Sequence, residues 1–303
     1  MKTSLPLRHL SLVILACLLW STAFAGIKIG LRYSQPLSFA GFRFTISGLL
    51  LLPFCGKFPV YLRSVARNWK IVLGVSFLQT SFVYALFYTG MTMVPGAIAA
   101  IVIGSGPLIS AVAAHYMMPD DELSVGKTLS LFLGLIGIIL IAVTRQPWSS
   151  GGWLEFSGIL ILLISSISGN LGNIFVARDG QKINPLILNS AQIFLGGLTL
   201  LLISIPIEGA PRLRQPLEFY LALIWLALLS AVAFSIWFTL LKKPDVKVSE
   251  LNLWKFIIPV FGAILSWMIL PDESPELFAV IGMLFVAGSI LAFHLCGIKR
   301  KCG

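Results

Sequence analysis

The chain has 303 residues, of which 57% are hydrophobic and 11% charged, with 22 Lys and Arg against 12 Asp and Glu for a net charge of +10. Soluble domains carry about 25% charged residues, so a water-soluble globule is excluded and a bilayer is the solvent this composition fits. The basic excess does not read as a nucleic-acid surface, because no folded basic domain is left over to carry one.

Ten apolar stretches follow one another, at roughly 9–29, 36–55, 70–91, 95–117, 125–144, 155–177, 185–206, 217–241, 248–270 and 276–296. Runs of about twenty residues span a bilayer as helices, whereas barrel strands would alternate over about ten. The joints are short and carry turn chemistry, as in Gln35-Pro36, Pro95-Gly96, Asn184-Pro185 and Pro271-Asp272. The basic start before the first span resembles a signal peptide, but Lys28 stands where a small-residue cleavage site belongs, so the span is read as retained. With the N-terminus in the cytoplasm, fifteen Lys and Arg fall on the inner side and five on the outer, leaving Arg43 and Lys255 within spans. The positive-inside rule therefore predicts both termini in the cytoplasm and an even number of spans.

The chain repeats. Pro107 precedes Pro119-Asp120-Asp121 by twelve residues, and Pro259 precedes Pro271-Asp272-Glu273 by twelve. Pro36 stands seven residues before Arg43, and Pro185 seven before Gln192. Each landmark falls at the same place in its set of five spans. Five is odd, so the second copy enters the membrane upside-down relative to the first. The predicted fold is an all-α membrane protein of ten helices in two inverted five-helix repeats, residues 1–150 and 151–303. Such repeats give carriers two near-equivalent arrangements, one open to each side.

Polar residues inside spans need a reason, since a central charge costs about 2.5–3.5 kcal/mol on insertion scales. In the ninth span Asn252, Lys255 and Pro259 share a face, extended by Gly262 and Ser266, with Trp254 beside Lys255. Lys255 either attracts an anionic group or pairs with Glu250 one turn back. Arg43 either braces neighbouring helices or holds an anion through its fork. In the third span Ser76, Thr80, Tyr84 and Tyr88 recur every four residues. In the sixth, Asn170 and Asn173 follow Ser166, next to a Ser165, Gly169 and Gly172 row suited to close packing. Each stripe suits a solute pathway or helix-to-helix bonding. Trp20 and Phe24 stand one turn apart and can form an aromatic wall. Pro107 and Pro259 predict kinks or breaks in the fourth and ninth spans at equivalent places, as hinges or as fixed curvature. The adjacent acids Asp120, Asp121 and Glu122 read as a solvated turn. The four cysteines show no metal or pairing pattern, and no nucleotide-binding or nucleophile motif is present, so no cofactor or metal is predicted.

Three groups of residues carry a family resemblance. Trp20-Ser21-Thr22-Ala23-Phe24 is similar to a Trp-Gly-x-x-Phe element with Ser for Gly, Pro36 with Arg43 matches a second, and Pro259 with Glu273 a third; Pro107 with Asp121 carries Asp in place of Glu. By their order and spacing the chain resembles the drug/metabolite transporter superfamily, specifically the ten-helix EamA-type exporters. The resemblance implies a central cavity between the halves and export by alternating access. The expected function is secondary active export of small metabolites, such as amino acids or related carboxylates, across the cytoplasmic (inner) membrane. Lys255 would hold the anionic group, Tyr84, Tyr88, Trp20 and Trp254 its body, and Asn170, Asn173 and Asn252 its orientation, with Arg43 nearby. Glu250 is the candidate for coupling to a proton; exchange against a counter-substrate is the other drive. The expected partners are a small-molecule substrate and the lipid bilayer, with no nucleic acid, and a homodimer is compatible with such a chain. An exchanger of phosphorylated or nucleotide-linked sugars is the second reading, and a membrane-embedded enzyme or non-transporting sensor the reading from another class.

Overall fold

The computed structural model describes residues 7–94, 96–143, 152–212, 214–269 and 277–299. Among these the chain is helical throughout, with no strand. The helices are α1 (Leu7–Gly30), α2 (Pro36–Leu51), α3 (Phe58–Arg67), α4 (Trp69–Ser76), α5 (Phe82–Met91), α6 (Gly96–Gly104), α7 (Gly106–Met117), α8 (Val125–Val143), α9 (Gly152–Arg178), α10 (Pro185–Glu208), α11 (Leu217–Leu241), α12 (Val248–Leu253), α13 (Ile257–Ile269) and α14 (Leu277–Lys299). Among the described residues eight stretches are long and apolar enough to cross a membrane, and Ile101–Met117 forms a shorter apolar one. The outward faces carry large apolar side chains such as Leu202, Leu228, Leu284 and Leu291. Only hydrocarbon solvates such a surface without penalty.

Three of the sequence-predicted spans are interrupted. The third changes to a π-turn over Phe77–Ser81 between α4 and α5. The extra residue re-aims the side chains after it, and such turns collect at functional sites. The fourth breaks at Ser105, between α6 and α7. The ninth tightens to a 3₁₀ turn over Trp254–Phe256, between α12 and α13. The breaks in the fourth and ninth spans fall two and three residues ahead of Pro107 and Pro259, where a kink or break is expected. Each Pro sits in the first turn of the helix that follows the break, where its missing N–H removes no intrahelical bond. The fourteen residues between the second and third spans include the amphipathic α3, whose outward face shows Phe58, Val60 and Leu62.

The helices pack in pairs: α2 lies along α10, α8 along α14, α1 along α11, and α5 along α9. Small residues set the approach. A Cβ on Gly197 would stand 2.3 Å from the backbone N of Thr45, and one on Gly48 2.5 Å from Phe194, so α2 and α10 meet backbone to backbone. The α8–α14 crossing is reciprocal: a Cβ on Gly137 would stand 2.6 Å from the Gly282 carbonyl, and one on Gly282 2.6 Å from the Gly137 carbonyl. Helix ends are closed by long-range caps. The two Glu208 carboxylate oxygens accept from Leu37 N at 2.7 Å and Ser38 N at 2.9 Å, at the start of α2. Asp121 is 3% exposed and accepts from both the backbone N and the hydroxyl of Ser249, at the start of α12. Asp121 is therefore a buried cap, not a solvated turn; its partner lies 128 residues away, beyond any local pattern.

Candidate functional site

The 3₁₀ turn at Trp254–Phe256 presents Lys255 to the bundle interior. Its Nζ lies 4.8 Å from the centroid of Trp237 and 5.9 Å from that of Trp20. Trp237 is 1% exposed, so Lys255 faces inward and away from the outer surface. The titratable side chain beside it is Cys17, whose Sγ donates weakly to the Trp254 carbonyl at 3.5 Å. No carboxylate or other protein acceptor is paired with the ammonium among the described residues; the Trp faces stabilise it by cation–π attraction. The alternative pair with Glu250 does not form. The charged groups acting on Glu250 are Lys127, His294, Lys247 and Asp121, at the far end of α12.

Arg43 is 2% exposed and its Nε donates to Ser230 Oγ at 2.9 Å, tying α2 to α11. Its guanidinium lies 4.8 Å from the ring centroid of Phe44 and alongside the Tyr88 hydroxyl, which makes no bond of good hydrogen-bond geometry. The bracing reading of Arg43 has a partner in Ser230, and the Tyr88 hydroxyl lies beside the rest of its fork. Tyr84 packs on Phe44 at 4.3 Å, so Tyr84, Tyr88 and Arg43 form one group. Lys255, Trp20 and Trp237 form another. Trp20 packs edge-on to Trp237 at 4.9 Å and to Phe234 at 5.5 Å. Ser230, Phe234 and Trp237 share one face of α11 and join the two groups; their i, i+4, i+7 spacing was readable in the sequence but was not singled out.

The amides divide. Gln79, on the π-turn, donates to Asn173 Oδ1 at 2.8 Å and to the Gly169 carbonyl at 3.1 Å, and Asn173 donates to Asn252 Oδ1 at 3.0 Å. This chain ties three broken or neighbouring spans together, so Asn173 and Asn252 bond helix to helix. A second chain runs from Thr80 through Gln192 and Asn189 to Ser235. Asn170 differs: its Nδ2 donates to Ser166 O, while its buried Oδ1 has no partner. It stands beside Gly106 at the α6–α7 break. Trp254 points elsewhere, packing on His294 at 5.6 Å and lining an apolar cleft of about 280 Å³ between α13 and α14. The structure thus brings Lys255, Trp20, Arg43, Tyr84 and Tyr88 around the α11 face and leaves Trp254 and Glu250 outside that group. Ser266, Phe24 and Lys28 have side chains, and Glu273 its whole placement, outside the described residues. Away from the interior, the Tyr33 hydroxyl donates to Glu218 at 2.8 Å, which raises the phenol above its ordinary range. A larger cleft of about 450 Å³, lined by Phe175, Arg178 and Lys182, lies at the end of α9.

Comparison with known proteins places this arrangement. The EamA-like transporter family matches over residues 7–143 and again over 156–294. The chain is 24% identical over 90% of its length to the uncharacterized transporter YvbV of Bacillus subtilis, covering 87% of it. It is 26% identical over 96% of its length to a probable amino-acid metabolite efflux pump of Salmonella typhimurium, covering 98% of it. A solved crystal structure superposes with a TM-score of 0.78 at 17% identity, covering 97% of this chain and 99% of that one. With apolar helices suited to a bilayer and the family pattern covering nearly its whole length, the chain is a multi-pass membrane protein and belongs to the EamA-like transporter family.

Proposed function

We propose that the protein is a secondary active exporter of small organic anions, of the amino-acid or related carboxylate class, working by alternating access in the cytoplasmic membrane. The observation that carries this is Lys255: an inward ammonium beside two indole rings, with no acid paired to it among the described residues. A cation kept there at insertion cost is explained by a visiting anion. The name of the Salmonella relative agrees with that class.

The mechanism rests on ten spans in two inverted repeats with both termini cytoplasmic. The two family matches support it, one per half. So does the packing: exchanging the first five spans with the last five turns the α1–α11 pairing into the α5–α9 pairing and returns α2–α10 and α8–α14 to themselves. The breaks before Pro107 and Pro259 fall at corresponding places, and half-helices of this kind surround carrier sites near the midplane. In the present arrangement Trp20, Phe234 and Trp237 are in contact, so cargo enters only when these rings part. Rocking of the halves about the α2–α10 and α8–α14 seams would part them toward one side, then the other. Lys255 holds the anionic group, Trp20, Trp237, Tyr84 and Tyr88 the body, and Asn170 offers an unused acceptor. Asn173 and Asn252 hold the broken spans in register. Glu250, with Lys127 and His294 near it, is the proton-coupling candidate at the end of α12.

Flux of radiolabelled carboxylates and amino acids into proteoliposomes tests this. Saturable, Lys255-dependent flux is expected. Carboxylate flux left unchanged by Lys255→Met would contradict the role given to that residue.

A further inference from the structure

From the same site, and resting on the reading just given, we infer that the cargo carries two separated anionic groups joined by a flat apolar body. Among the described residues two cations, Arg43 and Lys255, reach the α11 face rather than one. Arg43 bonds Ser230 and Lys255 lies on Trp237, and these two anchors stand seven residues apart on one face of α11, about 10 Å along its axis. Among the described residues neither Arg43 nor Lys255 forms an ion pair with a carboxylate. Two like charges turned inward without paired acids among the described residues are costly together, and one monoanion would leave the second unmatched. The surface between them is aromatic: Phe234 on the shared face, Trp20 across it, and Phe44 with Tyr84 beside Arg43. Arg43 retains N–H groups beyond its Ser230 bond, and these suit a carboxylate fork to fork. An amino acid's ammonium, by contrast, meets two cations here and no acid among the described residues. The selected class is the rigid dicarboxylate, ahead of monocarboxylates and simple zwitterions.

The test is titration calorimetry on the full chain in nanodiscs, with benzene-1,4-dicarboxylate, benzene-1,2-dicarboxylate, benzoate, phenyl phosphate and phenylalanine. The 1,4-dicarboxylate is expected to bind at least tenfold more tightly than each of the others, since adjacent carboxylates and a single phosphate do not span the two cations. In Lys255→Met and in Arg43→Gln the ratio of 1,4-dicarboxylate to benzoate affinity is expected to fall to near one. A merely bracing Arg43 would alter stability and leave that ratio intact. If Arg43→Gln does not fold, the wild-type panel and Lys255→Met still decide. Benzoate, phenyl phosphate or phenylalanine binding as tightly as the 1,4-dicarboxylate overturns the inference, as does a ratio that survives either substitution. Parallel proteoliposome flux separates the two claims: flux without the dicarboxylate preference sinks this inference alone, and the preference without flux of any probe sinks the transport reading alone.

Discussion

At the scale of the residue, the interior is defined by what each polar atom lacks. Among the described residues Lys255 has aromatic faces and no paired acid, the Arg43 fork bonds the Ser230 hydroxyl, and Asn170 and Tyr88 keep unpartnered oxygens. Removing a buried charge that meets a ligand charge costs about 2–5 kcal/mol, and 1.4 kcal/mol is tenfold. Lys255→Met is therefore expected to lower carboxylate flux about thirtyfold or more while the protein still unfolds near the wild-type temperature. Retained flux, or collapse of the fold, would count against a ligand-facing lysine. Asp121 offers the opposite case. Its cap on α12 predicts that Asp121→Ala costs about 1 kcal/mol of stability, read by thermal unfolding of purified protein. The sequence displayed Lys255 and Arg43 because charge inside an apolar run stands out by itself. It hid Trp237 and Phe234 because an aromatic in a membrane span looks the same whether it faces lipid or cargo. Trp254 lies outside the group for a related reason: adjacency to Lys255 on a 3₁₀ turn puts it about 120° around the axis, toward α14.

At the scale of the element, periodicity located the helices, while breaks within them depended on tertiary partners. The π-turn at Phe77–Ser81 is held by Gln79 and Thr80, whose acceptors lie on α9 and α10. No local pattern announces that. Gln79→Leu would strip Asn173 of its donor and is expected to destabilise the protein by about 1 kcal/mol in thermal unfolding. Glycines give a sharper contrast, because their surroundings differ. Gly137→Ala drives a methyl into the Gly282 carbonyl and should loosen the α8–α14 seam, lowering the unfolding temperature. Gly262 has nothing within 4 Å of the position a Cβ would take, and Gly262→Ala should be neutral or stabilising by up to about 1 kcal/mol. Equal effects from the two would show that the seam is not close-packed. Pro107 and Pro259 mark interruptions that the sequence shows, because Pro in an apolar run ordinarily interrupts a helix; each stands in the first turn of the helix that follows the break.

At the scale of the whole molecule, hydropathy and internal repetition made the class and the ten-span expectation legible, and the family match agrees with the class. Which faces meet was not legible, since lipid-facing and helix-facing surfaces are equally apolar and only the small residues distinguish them. The account rests on an interior site that each side of the membrane reaches in turn. Its direct measurement is a single cysteine, Asn170→Cys, with Cys17, Cys55, Cys296 and Cys302 replaced by Ala, exposed to a membrane-impermeant thiol reagent in right-side-out and inside-out vesicles. Labelling from both faces, suppressed by a transported carboxylate and absent for Ile167→Cys on the outward surface of the same helix, is the predicted result. Labelling of position 170 from one face only, or indifference to carboxylate, would contradict alternating access to this site.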